Sequence, residues 1–237
     1  MAEVQNRSNT STPIINYGVS GSKGKIYKSS KKELDGYEKV ELQSGGVVFH
    51  KYVDGLEGKC TYLAAQESEV TDDKTGKTKK INNLKCFLND SISTASLSLK
   101  TYSKEWKAFI EKIYNFDFDK TMGVSFYYKV NKEDETKKYL SCYVYYAGEE
   151  TQDAEGKIHR ETPEWLVTKD IAPPPVKNKK GEWVWEDNDI WYEEKLTEVI
   201  NRFKEHKLSA AALSSTNNTS VAGDDDGDDD DSDDLPF

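Results

Sequence analysis

A mainly-β fold is predicted by three observations. Short runs rich in Val, Tyr, Phe and Ile recur along residues 37–148, polar turn segments separate them, and the apolar period changes from strand to helix in one central stretch. The chain has 237 residues. Without its polar ends, about 170 residues remain, enough for one well-buried core and one main domain.

The elements follow in order. Residues 1–35 are polar and carry six bases (Arg7, Lys23, Lys25, Lys28, Lys31, Lys32) against Glu3, Glu33 and Asp35, which predicts a flexible basic arm. From Tyr37 come YEKVEL, VVFHKYV at 47–53 and KCTYLAAQESEV at 59–70. TDDKTGKTKK then reads as a polar hairpin loop and INNLKCFLND as its return strand, about three strands in all. In YSKEWKAFIEKIYNF the residues Trp106, Phe109, Ile110, Ile113 and Tyr114 share one helical face, with Ser103 placed as N-cap. GVSFYYKV at 123–130, the turn NKEDETKK and YLSCYVYYAG at 139–148 read as a second hairpin.

Five strands with a helix between the third and fourth is the connectivity of the OB-fold, a small barrel that holds single-stranded nucleic acid or oligosaccharides. The expected domain spans residues 36–207. It includes an irregular insertion at 149–187, with Pro173, Pro174, Pro175, the bases Lys177, Lys179 and Lys180 and a WVW triplet, and ends in an amphipathic helix carrying Leu196, Val199, Ile200 and Phe203. Residues 208–223 have the composition of a linker, and residues 224–237 form an acidic tail.

Charge is unevenly placed. The formal net charge is −10, and nine tail aspartates supply almost all of it. Of the 33 bases only three are Arg, which disfavours two-pronged reading of guanine edges and suits point-charge contacts to phosphates. Cys60, Cys86 and Cys142 are widely spaced, with no CxxC pair, and are expected as reduced core residues. The N-terminus has no apolar signal segment and no stretch reaches a membrane span, so an intracellular protein is expected.

Alternation within the strands predicts which side chains point away from the core. On the second hairpin these are Ser125, Tyr127 and Lys129, and Tyr139, Ser141, Tyr143 and Tyr145. On INNLKCFLND they are Asn83, Lys85 and Phe87. Rings interleaved with lysines suit sequence-tolerant binding of single strands, because bases stack on rings while ammonium groups follow phosphates. The expected DNA-binding set is Phe87, Lys85, Tyr127, Lys129, Tyr139, Tyr143, Tyr145 and, from the arm, Lys23, Lys25 and Lys28. Any one of these rings is better explained by packing under the insertion or the last helix; the group together points to an open face. Catalytic signals are thin. GVSGSKGK misses the phosphate-loop spacing by one residue, Asp117 and Asp119 suit a helix-ending turn, and His50, His159 and His206 have no ligand or triad spacing. No catalytic residue, metal site or cofactor is expected.

The chain ends DDDGDDDDSDDLPF. Its last residues, Asp233, Asp234, Leu235, Pro236 and Phe237, resemble the acidic C-terminal tip of single-stranded DNA-binding proteins, whose bacterial pattern is Asp-Asp-Ile-Pro-Phe. The longer body is more similar to a bacteriophage version, which implies a monomer or dimer acting in the bacterial host cytoplasm. The resemblance implies a non-enzymatic protein that coats and protects single-stranded DNA during replication, recombination and repair. It also implies partners such as polymerase, helicase or nuclease, recruited as Phe237 enters an apolar pocket and its carboxylate meets a base. A tethered polyanion is further expected to compete with DNA for the basic groove. Two other readings stay open on sequence: an acidic-tailed chaperone for basic proteins, and a metal-dependent nuclease with carboxylates gathered from distant positions.

Overall fold

A computed structural model describes residues 12–42, 46–71, 78–131, 134–168 and 171–217. The chain separates into two compact units, Met1–Phe203 and Lys204–Phe237. The first unit contains a curled nine-stranded sheet, a short helix and most of a long one.

The strands of the sheet are β1 (Ile14–Ser20), β2 (Lys25–Ser30), β3 (Glu38–Glu41), β4 (Val47–Val53), β5 (Leu56–Thr71), β6 (Thr78–Asn89), β7 (Thr94–Lys100), β8 (Thr121–Val130) and β9 (Lys138–Tyr146). Helix α1 (Lys104–Ile113) separates β7 from β8, and α2 (Glu186–Asn217) follows the sheet. Across the sheet the order is β3-β4-β2-β1-β7-β6-β5-β8-β9. All pairs are antiparallel except β1 with β7. The long β5 is shared, its first residues pairing β8 and most of its length pairing β6. Between them Cys60 and Tyr62 flank a β-bulge, the device by which a long strand bends.

The sheet curls until the β1–β2 turn meets β8 and β9. There the Tyr128 hydroxyl donates to the Gly21 carbonyl, and Gly24, at φ +61°, leaves no room for a Cβ beside Tyr128 and Leu140. The result is a half-barrel whose interior carries Ile26, Leu63, Leu84, Cys86, Leu97, Leu99, Val124, Phe126 and Val144. The α1 stripe Trp106, Phe109, Ile110 and Ile113 is fully buried against this core. Ser103 caps the helix by accepting from the Trp106 amide at 3.1 Å. Leu196, Val199 and Phe203 of α2 join the same cluster. The three cysteines are free and buried, as expected.

Several expectations are corrected. The sheet has nine strands among the described residues, where five are expected from the sequence. The segment read as a basic arm contributes β1 and β2 from residue 14, because Ile26 enters the core and Tyr17 and Val19 pack against it. The segment 94–100 is the strand β7, with Leu97 and Leu99 inward. Residues 208–217, read as linker, continue α2, consistent with the helix preference of Leu208, Ala210, Ala211 and Ala212. Within 149–187 lie two small ribbons, β10 (Glu150–Gln152) with β11 (Ile158–Arg160), and β12 (Val176–Lys177) with β13 (Trp183–Val184). No helix among the described residues is long and apolar enough to cross a membrane.

Candidate nucleic-acid interface

The bulge in β5 decides what its outer face shows. Cys60 and Leu63 both point into the core, an odd spacing that strict alternation forbids. The extra residue turns Tyr62 outward, opposite Phe87. Their rings lie 4.9 Å apart at 37°, with Tyr62 40% exposed and Phe87 half-buried. Next along β6 on this face is Lys85, opposite Ala64 on one side and Ser98 on the other. Ala64 is too small to cover it. Ser98 and Lys100 of β7 and Asn83 of β6 continue the face. Two rings, two ammonium groups and short polar side chains thus share one side of three adjacent strands.

A second aromatic group occupies the same side of β2 and β4. Tyr27 lies over Gly18, where a Cβ would come within 3.0 Å of the ring. It stacks on His50 at 3.9 Å, and Tyr52 meets both edge-on. Lys23 places its ammonium 4.3 Å over Tyr52 and pairs with Glu38. The His50 Nδ1 is buried with no hydrogen-bond partner among the described residues, and burial together with the nearby Lys23 charge holds this imidazole below its usual pKa. A groove of about 290 Å3 lined by Gly18, Tyr27, Asn83, Ser98, Lys100 and Glu105 runs from Tyr27 of this group to Lys100 of β7.

The expected site residues divide. Phe87 and Lys85 lie together on the open face. Tyr127 (43% exposed), Lys129 and Tyr139 (55% exposed) lie on the outer side of β8 and β9, with Lys129 opposite Tyr139. Tyr143 and Tyr145 point outward as predicted, but the β10–β11 ribbon covers them. Tyr145 is 3% exposed; it stacks on Tyr143 at 5.3 Å, donates to Glu57 at 2.6 Å, and carries the Arg160 guanidinium 4.5 Å over its ring. Burial and the Glu57 contact push its phenol well above the usual range. Tyr143 is half-buried and donates to the Arg160 carbonyl at 3.4 Å. As a stacking platform Tyr145 is therefore corrected to a buried structural residue.

The arm lysines are engaged too. Lys23 pairs with Glu38, Lys25 with Asp54 at 3.0 Å, and Lys28 lies 5.9 Å from the Tyr37 ring. Tyr27, Tyr52, His50, Tyr62 and Lys100 were not anticipated; the Cys60–Leu63 spacing was the available signal for Tyr62. The expected partner-binding residues Asp233, Asp234, Leu235, Pro236 and Phe237 lie outside the described residues. Asp117 accepts from the Asp119 amide at 2.9 Å in the turn expected after α1. Among the described residues, no group of three or more His, Cys, Asp or Glu side chains is arranged to hold a metal ion.

No protein-family model matches this chain, no curated protein matches its sequence, and no solved structure matches its fold.

Proposed function

We propose that this protein binds and protects single-stranded DNA without sequence preference, on the outer face of β5, β6 and β7. It acts without catalysis in replication, recombination and repair. The observation that carries the reading is the Tyr62–Phe87 pair beside Lys85. An aromatic pair with Tyr62 exposed and Phe87 half-buried, flanked by a lysine, offers a base a stacking surface and its phosphate a counter-charge, and a duplex, whose base faces are hidden, cannot use it.

Strand connectivity supports the same reading. The five strands β7-β6-β5-β8-β9, with α1 between the third and fourth of them in chain order, follow the pattern of an OB-fold barrel. In this reading β1–β4 are an extension of that barrel, and the Tyr62–Phe87 face falls on its first two strands. The acidic tip, residues 233–237, recruits replication and recombination enzymes such as a polymerase, helicase or nuclease. The protein works as a monomer or dimer, in the bacterial host cytoplasm if phage-encoded.

Titration with oligo-dT tests the reading. Intrinsic tyrosine and tryptophan fluorescence is expected to quench at low salt and to recover as salt rises, with log K falling linearly against log salt. Absence of both quenching and a mobility shift defeats the proposal, and magnesium-dependent loss of the oligonucleotide supports a nuclease instead. Deletion of residues 224–237 is expected to tighten DNA binding and abolish capture of a purified partner enzyme.

A further inference from the structure

The β12–β13 ribbon carries a second combination of ring and cations, apart from the sheet face. Its base is held firmly. The Asn188 side chain, itself buried, donates to the Pro173 carbonyl at 2.8 Å and accepts from Lys107 at 2.7 Å. Lys107 also pairs with Asp189 and lies 5.0 Å from the Trp185 ring, so Asn188 joins the two ends of the ribbon segment and Lys107 fastens the later end to α1. Three consecutive prolines stiffen the entry.

The tip is pre-shaped as well. Asn178 accepts on its side chain from the Lys180 and Glu182 amides at 2.9 and 3.0 Å, and Gly181 takes φ +80° to close the turn. On this tip Trp183 is 60% exposed and sits opposite Lys177, whose ammonium is 5.0 Å from the ring. Lys179 and Lys180 occupy the turn and are exposed. Among the described residues none of these three lysines has an ion-pair partner. An exposed tryptophan with one lysine beside its ring and two more in the adjoining turn, none of them ion-paired among the described residues, does not suit the core of a protein interface, where lysine is depleted. It suits a flexible polyanion that carries planar rings.

We infer that the β12–β13 ribbon is a second contact for single-stranded nucleic acid, with Trp183 stacking on a base and Lys177, Lys179 and Lys180 meeting the adjoining phosphates. The inference rests on the strand-coating function proposed above. It extends the bound strand beyond the sheet face onto a rigid projection.

The test compares the full chain with Trp183→Ala and with Lys177, Lys179 and Lys180 all changed to Ala, titrated with poly-dT across a salt series. Trp183→Ala is expected to lower the association constant about 5- to 140-fold, and Trp183→Phe to restore most of it. The triple change is expected to make the slope of log K against log salt shallower by about 2. Because the altered residues are exposed, thermal melting should be unchanged. If the unaltered chain binds poly-dT and both variants match it in affinity and slope, the ribbon inference is overturned while the coating function stands. If the unaltered chain does not bind at all, the coating function fails and the ribbon inference with it. Equal weakening toward poly-aspartate would overturn base stacking in favour of a site for acidic protein.

Discussion

The outer face of the sheet presents two aromatic pairs that differ in fate. Tyr62 and Phe87 face each other across β5 and β6 and stay accessible. Tyr143 and Tyr145 sit two residues apart on β9 and are closed over by β10–β11, where Glu57 accepts from the Tyr145 hydroxyl, the Arg160 carbonyl accepts from Tyr143, and the Arg160 guanidinium lies over the Tyr145 ring. Alternation tells which side of a sheet a ring takes. It says nothing about whether another segment will lie on top of it, and that second fact separates a binding surface from a packing surface.

This contrast can be attacked from the covered side first. Gly123 faces Tyr145 across β8 and β9, and a Cβ there would stand 2.2 Å from the ring. Gly123→Ala is expected to lose about 3 kcal/mol, read as a lower urea midpoint, because the phenol must leave Glu57 or the strands must part. An unchanged midpoint would mean that the covered pair is not tightly packed.

On the open side, Tyr62→Ala and Phe87→Ala are each expected to cost about 2 kcal/mol of DNA binding, with less than additive loss in the double variant because the rings touch. Tyr143→Ala is expected to leave oligo-dT affinity unchanged. Equal losses from the two pairs in an anisotropy titration would erase the distinction. Tyr145→Phe should cost about 1 kcal/mol of stability and no DNA affinity, since it removes only the hydrogen bond to Glu57.

The smallest effect concerns the other aromatic group. Burial and Lys23 lower the His50 pKa in the folded chain, so on acidification the unfolded chain, with an ordinary histidine near 6.5, takes up this proton first. Stability attributable to His50 is therefore fully present above about pH 6.5 and falls as pH drops below it. His50→Phe should flatten the change in urea midpoint between pH 7.5 and 5.5.

Much of the central architecture was readable because its signals are local. The Ser103 cap and the Trp106–Ile113 stripe lie within one segment, and the β5–β6 and β8–β9 hairpins each carry turn chemistry between apolar runs. What was missed depends on contacts between distant segments. β1 and β2 look like a polar arm until Ile26 is placed in the core. β7 carries a clear Ala95, Leu97, Leu99 alternation, but within a serine-rich run. Tyr62 faces outward only through the bulge. The fate of Tyr143 and Tyr145 is set by Arg160, fifteen or more residues away in the chain.

The most direct test is photo-crosslinking of the full chain to an oligo-dT carrying 5-iodouracil, with adducts mapped by peptide mass spectrometry. Adducts at Tyr62 and Phe87, and none at Tyr143 or Tyr145, are the predicted result. Adducts concentrated at Tyr143 and Tyr145, or a complex that forms with no adduct on β5 or β6, would contradict it.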